Sequence, residues 1–325
     1  MLTEMENRTS VQEFTLEGFP AIQHLGKVLF LVHLLAYLAS TAGNAIIVTI
    51  TCANSRLHTP MYLFLSIFSF VECGVVSAVI PKLLVIFLLG RQTISFPDCF
   101  FVFVFFFPDC FIQAFVFLFL GAAAFFLIAV MSLDWYVAIC KPLHYPTIMN
   151  PKICFLLVTA CFALAFPLIT GLLVKVSLLS FCGPHVIPHF FCELGPLIHL
   201  SCSDTRSVEM LALILALFII FTSIIITIIA YSNVVITIMQ LPSAKEKKKA
   251  FSTCSSHLIV LSLMYGGCVF IYVKPKQTNT LDSNREAAIV NTVVTPLLNP
   301  VVYTLRNKQV HQALRETICR MKTSR

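Results

Sequence analysis

The chain has 325 residues, of which 58% are hydrophobic and 11% charged, with a mean hydropathy of +0.91. A soluble domain is nearer half apolar and a quarter charged, so this composition leaves too little polar surface for a water-soluble fold and supplies apolar length for several bilayer spans. The formal charge of +7 does not point to nucleic acid, because the basic residues lie scattered in short connections between apolar runs and not on one basic face.

Residues 1–26 carry Glu4, Glu6, Glu13 and Glu17 and no apolar core segment. No cleavable signal peptide is expected, so the first span acts as its own targeting signal. Asn7-Arg8-Thr9 is the one N-glycosylation triplet, with Asn7 as acceptor. Seven apolar runs follow, over 27–52, 61–83, 110–136, 153–174, 209–239, 251–273 and 287–305. Each is long enough for a transmembrane helix. Pro81, Pro167, Pro296 and Pro300 fall within them, and a bundle tolerates such breaks when neighbouring helices satisfy the freed backbone groups. Beyond the seventh run, Val310, Ala313, Leu314, Ile318 and Met321 share one helical face with basic residues largely elsewhere. That pattern predicts a short amphipathic helix lying on the bilayer surface. Cys319 beside it is either a palmitoylation site or a plain thiol. The organisation expected is an extracellular N-terminus over 1–26, a seven-helix all-α membrane domain over 27–305, and a cytoplasmic tail over 306–325.

An eleven-residue repeat precedes the third helix, with 96–106 and 107–117 both opening Phe-Pro-Asp-Cys-Phe. Pro108 argues against one continuous helix through both copies, so the first copy is read as a duplication that lengthens the outer loop.

Orientation follows from lysine and arginine. The first, third and fifth connections and the tail hold 13 of the 22 basic residues, against only Asp134, Glu246 and Glu316. The tail side is therefore expected in the cytosol and the N-terminus outside, which also puts Asn7 where it can be glycosylated. The 13 cysteines divide accordingly. Cys52, Cys73, Cys140, Cys154, Cys161, Cys254 and Cys268 fall in or beside apolar runs, where a thiol acts as a small hydrophobe. Cys99, Cys110, Cys182, Cys192 and Cys202 fall at loops on the outer side, where disulfides form.

Four motifs then narrow the assignment. Leu57-His58-Thr59-Pro60-Met61-Tyr62 opens the second helix and Met131-Ser132-Leu133-Asp134-Trp135-Tyr136-Val137-Ala138-Ile139-Cys140 closes the third. Lys249-Ala250-Phe251-Ser252-Thr253-Cys254-Ser255-Ser256-His257-Leu258 opens the sixth, and Pro296-Leu297-Leu298-Asn299-Pro300-Val301-Val302-Tyr303 closes the seventh. With Gly43-Asn44 in the first helix, the chain resembles the vertebrate olfactory receptors, within the rhodopsin-like G-protein-coupled receptors. The resemblance implies a plasma-membrane receptor that binds a small-molecule odorant and passes the signal to a stimulatory olfactory-type heterotrimeric G protein, raising cAMP. It implies no enzyme activity, no cofactor and no resident metal. It also implies that Cys110 pairs with Cys192 and Cys182 with Cys202, which leaves the duplicate Cys99 competing for Cys192.

Glu72 is the one acid deep in a span. An unpaired carboxylate buried there costs several kcal/mol, so it is either a neutral, hydrogen-bonded acid or part of a polar switch with Asn44, Ser69 or Asn299. Many members of the family carry a second acid where this chain has Ala124. Asn299, Pro300 and Tyr303 predict a polar hinge in the seventh helix, and Tyr231 and Tyr265 complete the expected switch residues with Asp134 and Tyr136. Trp135 departs from the family, which has arginine there; indole offers one donor where guanidinium offers a charged, planar fork. Helical spacing places Phe117, Leu118, Gly121, Ala122, Leu215, Ile219, Cys268 and Tyr272 around an apolar ligand pocket. A transporter is disfavoured because Glu72 stands almost alone where such proteins pair ionisable groups. An intramembrane enzyme is disfavoured because no metal-ligand or nucleophile–base pair occurs at helical spacing in the spans. The loop histidines His185 and His189 with Glu193 would form a metal site only if Cys182 and Cys192 were left unpaired.

Overall fold

The structure, a computed structural model, describes residues 13–90, 92–95, 110–181, 186–273 and 289–306. A 3-10 turn over Pro20–Leu25 leads into α1, Gly26–Ala53. Asn54 ends α1 with extended backbone, and its side chain accepts the Arg56 amide. Extended Thr59 and Pro60, in the first turn, start α2, Pro60–Leu89. Proline suits that position because the first helical amides have no partner within the helix. The helix continues through Pro81, flanked by α1 and α3, and stops at Gly90, whose positive φ favours a residue without a side chain. It therefore runs past the 61–83 expected from sequence.

The remaining long helices are α3, Cys110–Cys140, α5, Pro151–Ser177, and α7, Arg206–Gln240, with α8, Ala244–Val273, and α9, Thr295–Arg306, completing the seven. Two short helices, α4, Tyr145–Ile148, and α6, Leu194–Ile198, lie in connections. Asn150 caps α5 by accepting the Ile153 amide at 3.0 Å. Each helix after α2 contains most of its sequence-predicted run. The seventh differs internally, because Val290–Val294 forms a π-helical turn before α9 begins.

Among the described residues, five helices are long and apolar enough to cross a bilayer; α8 opens on charged residues and is apolar over His257–Gly267. In their most apolar windows α2 and α3 are 61% and 56% buried, against 22% for α1 and 17% for α7. The first two therefore form the bundle's interior, with α3 packed against α2, α5 and α7. The others turn residues such as Leu35, Phe155, Leu156, Phe218 and Ile228 outward. Apolar faces of that extent are stable against lipid and not against water.

One feature was not expected from an all-α reading. Glu13–Leu16 forms β1, the centre of a three-stranded sheet. It pairs antiparallel with β2, Gln92–Ser95, and parallel with β3, Val186–Ile187. Phe14 and Leu16 are fully buried, so the short Glu-Phe-Thr-Leu alternation has the period of a half-buried strand. Gly18 follows with a positive φ, and a Cβ there would run into Ile86. Asn7, the first repeat copy, Cys99, Cys182, His185, the predicted amphipathic tail helix and Cys319 lie outside the described residues.

Candidate ligand-binding site

Cys110, the first residue of α3, forms a disulfide with Cys192. One turn along, buried Gln113 donates to the Ala78 carbonyl of α2 at 2.8 Å and accepts the Cys192 amide at 3.0 Å. It thereby ties two helices to the loop before α7, a role that sequence reading missed. The signal available was a lone amide in a strongly apolar run. Phe191 packs on Phe117 with ring centroids 5.0 Å apart, and Phe190 stacks on Phe19 at 5.4 Å. The sheet and this loop together cover one end of the bundle. Cys202 is also disulfide-bonded, while its expected partner Cys182 is outside the described residues.

In the same loop, His189 Nε2 lies 3.0 Å from Glu193 Oε2, a contact that works as an ion pair only while the imidazole is protonated. Burial dominates at Glu193 and pushes its carboxyl up to about 7, from an ordinary 4.5. The folded loop thus holds a proton that the unfolded chain has released, and the stability linked to it is lost as pH rises through that window. Melting of the purified protein should accordingly occur at lower temperature at pH 7.5 than at pH 5.5, and Glu193→Gln should reduce that difference.

Below the loop lies a cavity of about 450 Å³. Phe117, Leu118, Gly121 and Ala122 of α3 line it with Leu215 and Ile219 of α7, so six of the predicted pocket residues come together. The side chains of Cys268 and Tyr272 are outside the described residues. Sequence spacing missed Leu194 of α6, Met264 of α8, and the polar Glu72, Thr292 and Thr295. Gly121 contributes open volume, since nothing lies within 4 Å of where its Cβ would be.

The polar residues form two groups. Pro300 has no amide hydrogen, so the Pro296 carbonyl one turn earlier loses its helical donor. Ser40 donates to that carbonyl at 3.0 Å and Asn44 at 3.3 Å, which gives Asn44 a specific task. Gly43 allows the approach, since a Cβ there would meet Pro300 Cβ at 2.8 Å. Asn299 donates to Glu72 Oε1, so the acid's partner is in the seventh helix, as one of its three expected candidates.

The second group joins α3, α7 and α8. The Tyr265 hydroxyl is 2.6 Å from that of Ser223 and 3.3 Å from Thr227, which in turn is 3.3 Å from Ser132. Ser223 also lies 2.6 Å from the Phe125 carbonyl and donates to it. Nearer the chain's basic connections, the Tyr231 hydroxyl is 2.6 Å from His257 Nδ1. Asp134 accepts from the Tyr145 hydroxyl at 2.9 Å, and Lys141 Nζ sits 5.9 Å from the Tyr136 ring. Trp135 is half-buried against the apolar core. The Tyr303 side chain is outside the described residues. Among those residues no three His, Cys, Asp or Glu side chains converge as metal ligands.

A family model described as olfactory receptor matches residues 33–321. Mouse olfactory receptor 6E1 is 45% identical over 315 residues, covering 97% of both chains. Human olfactory receptor 6C74 is 42% identical over 314 residues, again with 97% of each chain covered. Among solved structures, squid rhodopsin superimposes with a TM-score of 0.64 over 93% of this chain and 87% of its own, at 16% identity. That likeness bears on the fold alone.

Proposed function

This chain belongs to the olfactory receptor family of G-protein-coupled receptors, multi-pass proteins of the plasma membrane that are receptors and not enzymes, and from that premise we propose what it binds and how it signals. Its ligand is a small, mostly hydrophobic odorant held in the cavity between α3 and α7. Its output is a stimulatory olfactory-type G protein that raises cAMP. The N-terminus and the disulfide loop face outward, and the Lys245–Lys249 connection and the tail face the cytosol, a reading supported by the distribution of basic residues. Cys182 and Cys202 form the second outer disulfide, and Asn7 carries the glycan.

The observation that carries the ligand reading is the cavity, a space of drug-like size with mostly apolar walls inside a bundle. Binding there biases the α7–α8 contacts through Tyr265 and Ser223, and a ligand shifts that balance only by preferring one arrangement. The test is a cAMP assay with an odorant panel, comparing the chain with Gly121→Leu, which places four carbons in the open volume. Gly121→Leu should reach the cell surface normally and need about tenfold more odorant, a loss of roughly 1.4 kcal/mol. An unchanged dose response would remove the cavity from consideration.

A second reading has its own observation. Trp135 replaces the arginine that the family uses at the cytoplasmic end of α3. Ligand binding with weak or absent coupling is the state this predicts for the chain as it stands.

A further inference from the structure

The outer face of α8 carries two features that the ligand cavity does not use. Its first turns are basic, and Lys245 and Lys248 are exposed there. Among the described residues neither forms an ion pair. Further along, Ser255, Leu258, Ile259, Ser262 and Leu263 line a second hollow, of about 370 Å³. With 3.6 residues per turn, Lys248, Ser255, Ile259 and Ser262 fall within about 60° of one another around the helix axis. Phe251, 52% exposed, stands between the lysines and the hollow. Cys254, His257, Val260 and Leu261 bury the opposite side of α8, so the basic turns and the hollow share the face turned away from the bundle. Ser262 donates to the Leu258 carbonyl at 2.8 Å, which satisfies its hydroxyl and leaves a small side chain where a larger one would fill the space. From Lys248 to Leu263 the helix rises about 22 Å. That is close to one leaflet with its headgroup region, half of a bilayer of about 40–45 Å.

Resting on the reading that turns the Lys245–Lys249 connection toward the cytosol, we propose that this face binds one anionic phospholipid of the inner leaflet, its headgroup between Lys245 and Lys248 and an acyl chain in the hollow. The two lysines are three residues apart and therefore neighbours on the helix surface. Their aliphatic stems lie along apolar surface while the ammonium groups reach the headgroup level. A zwitterionic lipid fills the hollow as well but carries no net charge for the lysines to attract, and a sterol carries none at all. α8 also bears Tyr265 and His257, whose hydrogen-bonding partners Ser223 and Tyr231 lie on α7. The lipid thus sits on the back of the helix that those contacts tie to α7.

The test is native mass spectrometry of the purified full-length protein in detergent, which counts bound lipids. It involves neither odorant nor membrane sidedness, so its failure leaves the cavity and the orientation standing. The probes are dioleoyl phosphatidylserine, dioleoyl phosphatidylcholine and glycerophosphoserine, the last a headgroup without chains. In the unaltered protein phosphatidylserine should half-saturate at a concentration about thirtyfold below phosphatidylcholine, as two lysines at the headgroup level allow. Lys245→Gln with Lys248→Gln should bring the two lipids within about threefold. Lys141→Gln with Lys152→Gln, an equal loss of charge where α3 leads into α5, should leave the preference intact. Ser262→Phe should weaken phosphatidylserine about tenfold with both lysines in place, by filling the hollow. Equal half-saturation by the two lipids, an equal effect of the two lysine pairs, or no effect of Ser262→Phe would each overturn the site. So would saturation by glycerophosphoserine at the concentration that suffices for phosphatidylserine.

Discussion

Replacing Trp135 with arginine should raise odorant-stimulated cAMP by about tenfold or more at matched surface expression. The figure corresponds to roughly 1.4 kcal/mol, at or below what one charged hydrogen bond contributes. Asp134 beside it is already engaged by Tyr145 at 2.9 Å, and the half-buried indole packs on the apolar core. Neither side chain offers a cationic group at this end of α3. Guanidinium supplies five donors in a rigid plane, against the single N–H of indole. Trp135→Phe is the control, because it keeps an aromatic ring without adding a donor, and it should leave the response low. Equal cAMP responses from the tryptophan and arginine proteins would show that coupling here does not run through this position.

The other large effect belongs to the disulfide. Cys110→Ser and Cys192→Ser should each remove most of the protein from the cell surface, and the double substitution should be no worse than either single one. The bond closes a separation of 82 residues, for which loop-closure entropy alone suggests about 4 kcal/mol. It also anchors the loop whose Cys192 amide reaches Gln113. Non-additivity is the signature of one shared bond. Cys99→Ser should leave surface levels unchanged, since Cys192 is already taken by Cys110. A surface-labelled Cys110→Ser protein at normal levels would show that the bond is dispensable for maturation.

What the sequence made legible was whatever depends on period and composition. Seven apolar runs can hide only as seven helices, and i, i+3, i+4 spacing from Cys110 was enough to bring Phe117, Gly121 and Ala122 to one wall. Gln113 was passed over because a single amide in a run of phenylalanines gives no hint of two partners contributed by separate segments. The task of Asn44 was invisible for a related reason, since it depends on a carbonyl freed by a proline some 250 residues later. The π-helical turn at Val290–Val294 leaves no periodic trace over so few residues. β1 was missed because four residues of alternation are too short to outweigh a composition that says helix.

The strand order of the sheet sets a sequence of events during synthesis. β1 leaves the ribosome first yet lies between two strands encoded much later, and its partner β3 cannot exist until residue 187 has been translated. The N-terminal strand can pair with β2 once the second helix has been made, but its other edge must wait for β3 until the fourth has followed. Contacts so distant along the chain are late by their topology. The cap over the cavity thus stays half-built until the segment after α5 is complete, and a nascent chain arrested within α5 would leave one edge of its N-terminal strand open to proteases.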